Sequence, residues 1–184
     1  MPRSGQEARR RLQEAALELY LDRGYDATTT AQIAERAGVT ERTFFRHFAD
    51  KREVFFDGEA GLRDALVQAI AEAPEGSPPL AVLREAFSAV LPIIEGNRPL
   101  LGPRAKVIAA TPQLRERELA KVEALNHAMA DALRERGLSE SLALLAAKIG
   151  TAAFERAARE WRAHPSRDPR ELLAESFAEV HALG

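Results

Sequence analysis

The run from Thr28 to Phe48 constrains this 184-residue chain more than any other, because it packs two helix starts around one glycine corner. Thr29-x-x-Gln32 is a capping box, in which side-chain groups satisfy the free backbone N–H groups of a helix start. The helix it opens is predicted to end at Gly38, which takes a left-handed backbone conformation without a Cβ clash. Thr40 caps the next helix, predicted to run to about Phe48. Ile33, Ala37, Val39, Phe44 and Phe48 fall on the buried side, and Ala34 is small where two helices must approach closely. Glu41, Arg42, Thr43, Arg46 and His47 are left facing outward. The arrangement is a helix-turn-helix, whose second helix offers its N-terminal portion to a DNA major groove.

The remaining segments also carry helical periodicity, and none sustains the alternation of a strand. Ser4-x-x-Glu7 opens a first helix that Gly24 ends. Asp50-x-x-Glu53 predicts a fourth helix continuing toward Glu72, interrupted by Gly58 and Gly61 at a place suited to a hinge. Pro74-Glu75-Gly76-Ser77-Pro78-Pro79 reads as a linker. Leu80–Glu95 follows, with Pro92 expected to kink or shorten its end. After Asn97-Arg98-Pro99 come Leu100–Ala110, a long helix from Pro112 to Gly137, another from Ser139 to His164, and a last from Asp168 to about Leu183. The expectation is an all-α protein of about nine helices. Residues 1–50 form an N-terminal three-helix domain, and residues 51–184 form a helical domain for effector binding and dimerisation.

Composition narrows the classes further. The chain has no cysteine, which removes disulfides and thiolate chemistry together. No apolar run reaches the roughly 20 residues of a membrane span, and the first residues lack the apolar stretch of a secretory signal. A cytoplasmic location without membrane contact is expected. The net charge of −2 argues against nonspecific coating of nucleic acid. Residues 1–56 hold ten Lys/Arg against nine Asp/Glu, with the arginines clustered. That pattern fits a short, specific DNA footprint.

Within that footprint, Arg42 is the first candidate for base readout, since its guanidinium matches guanine O6 and N7 in a bidentate fashion. Thr43 is placed to touch a thymine methyl or a phosphate. Thr29 and Thr30 lie at a helix start, where free N–H groups favour phosphate. Thr40, Arg46, His47 and Lys51 complete the candidate set, Lys51 as a phosphate clamp. Arg3 and Arg9–Arg11 are candidates for backbone or minor-groove contacts.

Gly24-Tyr25-Asp26-Ala27-Thr28-Thr29, Ile33-Ala34-x-x-Ala37-Gly38-Val39-Thr40 and Thr43-Phe44-Phe45-x-His47-Phe48-x-x-Lys51 together closely resemble the signature of the TetR family of transcriptional regulators. The resemblance covers about the first third of the chain. It implies a DNA-reading head followed by a helical remainder that binds a small molecule and dimerises through the last two helices. Phe45 departs from the pattern, because such proteins usually carry a tyrosine there whose hydroxyl contacts phosphate. Phe45 stays in the candidate set as a changed contact.

The second part of the chain is less informative. Ala143, Ala146, Ala147, Gly150, Ala153 and Ala157 make a small-residue face, which suits either a subunit interface or packing inside one chain. Leu172, Leu173, Phe177 and Val180 add apolar area on the last helix. Phe87, Leu91, Ile108, Leu125 and Phe154 are candidate walls of an effector pocket, with Arg104, Asn126 and His127 as polar anchors, and few polar groups imply a largely apolar effector. No cofactor or metal is expected. The four histidines are scattered, with no metal spacing or catalytic signature, which argues against an enzyme. The expected function is a ligand-responsive repressor on a palindromic operator. The alternatives are a small-molecule-binding protein with a vestigial head and a ligand-independent DNA-binding protein.

Overall fold

A computed structural model describes residues 3–96 and 98–183, with the side chains of residues 3 and 4 outside that set, so the Ser4 and Asn97 caps lie beyond it. Among the described residues there are nine α-helices and no strand. They are α1 Arg3–Arg23, α2 Thr30–Arg36, α3 Glu41–His47, α4 Glu59–Glu72, α5 Pro79–Glu95, α6 Arg98–Ala110, α7 Pro112–Glu135, α8 Glu140–Ala163 and α9 Pro169–His181. No helix among the described residues is long and apolar enough to cross a membrane. Two compact units emerge.

The first unit runs to Asp57 and adds Arg98–Leu119, so α6 and the opening turns of α7 belong with the N-terminal helices. Its core gathers Leu12, Ala16 and Tyr20 of α1, Ile33 and Ala34 of α2, and Phe44 of α3. Val107 of α6 and Leu114 of α7 are buried in the same cluster, which explains why these later segments join it. The α2 to α3 corner is a Schellman turn: the Val39 N–H donates to the Ala34 carbonyl and the Gly38 N–H to Glu35. Gly38 sits at φ +67°, where a side chain would be strained.

The fourth helix does not run on from Asp50 as the capping pattern predicts. Asp50 accepts from the backbone N–H groups of Arg52 and Glu53. It thereby starts only a 3-10 turn, Glu53–Phe55, and the α-helix begins at Glu59 after Gly58 at φ +81°. The cause is burial. Val54, Phe55 and Phe56 all enter the first core, which three consecutive residues of one straight amphipathic helix cannot do. The Glu53 carboxylate turns to the Arg117 guanidinium at 2.9 and 3.1 Å instead of closing a capping box. The N-terminal segment of the first unit accordingly extends to Asp57.

The second unit comprises α4, α5, the rest of α7 from Ala120, α8 and α9. Pro92 neither ends nor shortens α5, which runs on to Glu95, because a proline one turn from a helix end removes only one internal bond. Arg136 caps the end of α4 by donating to the Ala73 and Pro74 carbonyls, each at 2.7 Å. The small-residue face of α8 is used inside the chain. Ala143, Ala146, Ala147, Gly150, Ala153 and Ala157 are all buried, and a Cβ at Gly150 would lie 3.1 Å from Leu83 Cδ1 and 3.4 Å from Phe87. Leu172, Leu173 and Phe177 of α9 are buried as well. The outward stripe of α8 is instead Leu142, Leu145, half-buried Ile149 and Ala152, beside exposed Ala174 and Ala178 on α9.

Candidate nucleic-acid interface

The recognition helix α3 is set by its ends and its buried side. Thr40 takes an extended conformation, and its hydroxyl oxygen accepts from the Thr43 N–H at 3.2 Å. Phe44 and Phe48 anchor the inner side, with 0% and 4% of their surface exposed. Helical geometry then forces Glu41, Arg42, Phe45 and Arg46 outward, and all four are exposed. Phe45 is 53% exposed and meets Phe44 edge to face, with ring centroids 5.4 Å apart.

Pairing separates structural cations from available ones. Arg9 is ion-paired with Asp57 at 2.8 Å, Arg10 is held by Glu7 and Glu14, Arg36 by Glu18, and Arg52 by Asp50. Among the described residues, Arg42 and Arg46 of α3 and Arg11 of α1 have no carboxylate partner. Arg11 lies at the glycine corner, with Nη1 3.6 Å from where a Gly38 Cβ would stand. Of the three clustered N-terminal arginines only Arg11 is therefore unpaired.

Several candidate residues prove to be engaged internally. Lys51 donates to the Tyr25 and Thr28 carbonyls at 2.8 and 2.9 Å and stands 4.2 Å over the Tyr25 ring. Two of its three N–H donors thus tie the α1–α2 connection, and Tyr20 returns the contact by donating to the Lys51 carbonyl. Burial pushes the Tyr25 phenol up to about 12, so it stays protonated. Thr29 and Gln32 form the predicted capping box, which occupies the Thr29 and Gln32 N–H groups at this helix start. The Thr30 hydroxyl donates to the Glu41 carboxylate, and the Thr43 hydroxyl lies 3.0 Å from that of Thr40. His47 is half-buried rather than outward, because it closes the helix against α1, where Arg9 donates to its carbonyl. Burial, then Arg46 and Arg9, hold its imidazole below the ordinary histidine range, opposed by Asp57.

The effector candidates separate between the units. Phe87, Leu91, Asn126, His127 and Phe154 are in the second, whereas Arg104 and Ile108 belong to the first. Phe87 and Phe154 stack with centroids 4.8 Å apart. Asn126 is buried and accepts from the Thr151 hydroxyl at 2.6 Å. Thr151 was not singled out by sequence, although a threonine within an alanine-rich helix face was the available signal. His127 is exposed and bonded to the carbonyl one turn back, so it does not share the buried site of Asn126. Arg104 lies over Phe56 and 3.6 Å from Glu118, a packing role in the first unit, where desolvation lowers its pKa. No group of three or more metal-ligating side chains occurs among the described residues.

These features define a helix-turn-helix regulator of transcription. Residues 12–57 match the model for "Bacterial regulatory proteins, tetR family", and residues 77–183 match the MftR C-terminal domain model. The chain belongs to the TetR family. It is 47% identical over 76 residues to the HTH-type transcriptional regulator TcmR of Streptomyces glaucescens, covering 41% of this chain and 34% of TcmR. The chain thus spans about a third of that curated relative. Thermus thermophilus FadR, a TetR-family repressor solved with lauroyl-CoA, is 31% identical over 92% of this chain and 91% of its own, with a TM-score of 0.52. Bacillus subtilis FadR, solved with stearoyl-CoA, shares the fold at 17% identity and a TM-score of 0.64, over 91% of this chain and 95% of that one.

Proposed function

We propose that this regulator is a repressor that occupies a palindromic operator as a homodimer and leaves it on binding a small, largely apolar effector. The observation that carries the reading is the unpaired pair Arg42 and Arg46 on the exposed face of a helix whose other face is locked by Phe44. Among the described residues of the head, Arg9, Arg10, Arg23, Arg36 and Arg52 already have a carboxylate partner, so Arg42 and Arg46 remain for bases and phosphates. Arg42 is the proposed guanine reader, with Arg46, Arg11 and the third N–H of Lys51 as proposed phosphate contacts and Thr43 and Phe45 beside them. Thr29, Thr30, Thr40 and His47 support the surface rather than extend from it.

Two heads about 34–36 Å apart would read two half-sites, which requires a two-fold dimer. The proposed contact is the outward face of α8 and α9, where Leu142 and Leu145 are more than half exposed. The effector is assigned to the second unit, with Phe87, Leu91 and Phe154 as apolar walls and the Asn126–Thr151 pair as its polar group. The relative solved with lauroyl-CoA favours a fatty-acyl chain, tested first as its coenzyme A thioester, as the apolar part that these walls take.

Selection of bound duplexes from a random pool, then titration of lauroyl-CoA onto the complex, tests the reading. A palindromic consensus and release of DNA by the thioester are expected. Arg42→Ala should weaken binding by about 1–3 kcal/mol and relax one position in each half-site. Absence of any selected sequence would refute the reading, and retention of DNA at saturating thioester would refute that effector class.

A further inference from the structure

Glu41 is an oddity on a surface that must approach phosphates. It is exposed beside unpaired Arg42, yet among the described residues no arginine or lysine pairs with it. Its partner is a hydroxyl: Thr30 Oγ1 of α2 donates to Glu41 Oε1 at 2.5 Å, across the glycine corner. One carboxylate oxygen is thereby fixed, and the other keeps its full capacity as an acceptor. A carboxylate on a DNA-facing helix is repelled by the phosphates unless a base edge supplies a donor, so it either weakens binding generally or discriminates sharply.

We propose that Glu41, oriented by Thr30, accepts a hydrogen bond from the N4 amino group of a cytosine, as a specificity determinant next to the base read by Arg42. The choice of base follows from major-groove chemistry. Guanine and thymine present only acceptors on their major-groove edges, apart from the thymine methyl, and would repel the carboxylate. Adenine has an N6 donor, but its N7 acceptor lies alongside and opposes the second carboxylate oxygen. Cytosine's own edge offers the N4 donor and no acceptor, the pattern that a carboxylate accepts from. The free N–H groups of the helix start play no part in this contact. Thr30 is a positioning residue, acting only through Glu41. The inference rests on the DNA-reading function proposed above.

Random-pool selection on the wild type, Glu41→Gln and Thr30→Val tests it, followed by affinity measurements on duplexes varied at the position concerned. The wild type should fix a cytosine with about tenfold or greater preference over the other bases. A glutamine amide both donates and accepts, so Glu41→Gln should move that position to adenine and leave the other positions unchanged. Thr30→Val should keep cytosine but reduce its preference several-fold. A change of base identity is a result that a purely structural glutamate would not produce. If Glu41→Gln selects the same base as the wild type, the Glu41 assignment is overturned while the DNA-reading function stands. If the wild type selects no sequence, both are overturned.

Discussion

At Phe45 the missing hydroxyl leaves a half-exposed ring held edge to face by Phe44. Phe45→Tyr should therefore preserve or strengthen operator binding by restoring a phosphate donor, as measured by titration against the selected duplex. A large loss would mean that the ring must stay dry in the complex. Two residues further on, His47 favours its neutral form in the folded chain because burial and two arginines disfavour the imidazolium. The unfolded chain then binds more protons near the ordinary histidine pKa of about 6.5, so stability is full above that pH and declines as pH falls through it. Urea midpoints collected from about pH 8 to about pH 5 should show this decline. His47→Gln should flatten that part of the profile.

Among the elements, α8 packs its alanine face inside the chain. Its alanine face reads equally as a subunit interface or as internal packing, because both need the same close approach of helices. Contact with α5 decides for the interior, through Gly150 against Leu83 and Phe87. Gly150→Ala should change stability by less than about 1 kcal/mol, since gained helix propensity offsets a tight Cβ. Gly150→Val should destabilise by about 1–3 kcal/mol through overpacking. Thermal unfolding of the two variants checks the contrast. The segment after Asp50 is the parallel case: its cap was legible, but the cap opens only a short turn. Three adjacent buried residues and a left-handed Gly58 end that turn before α4 begins.

For the whole molecule, the proposed dimer rests on surface that the folded chain leaves uncovered rather than on the apolar content of its last helices. Leu142→Glu combined with Leu145→Glu should yield a folded monomer, because both side chains are already exposed. Sedimentation should show half the wild-type mass, with operator affinity falling by at least about tenfold as the two heads lose their linkage. An unchanged dimer would move the interface elsewhere. The family relationship extends over both segments of the chain, yet its long matches carry only modest identity.

Most of the helices and caps and the glycine corner were legible in the sequence, because those depend on contacts within a few residues, whereas the start of α4 was not. The sequence by itself also determined that α3 would present Arg42 and Arg46, since Phe44 and Phe48 fix which side turns inward. Pairing across distant segments was left to the tertiary structure. Only there does Lys51 become a tie to the Tyr25 and Thr28 carbonyls, Arg9 a partner of Asp57, and Thr30 the support of Glu41. The same holds for the recruitment of α6 into the first core, through Val107. A charged or apolar side chain has many possible partners along a chain, and the fold chooses among them by proximity that no local pattern encodes.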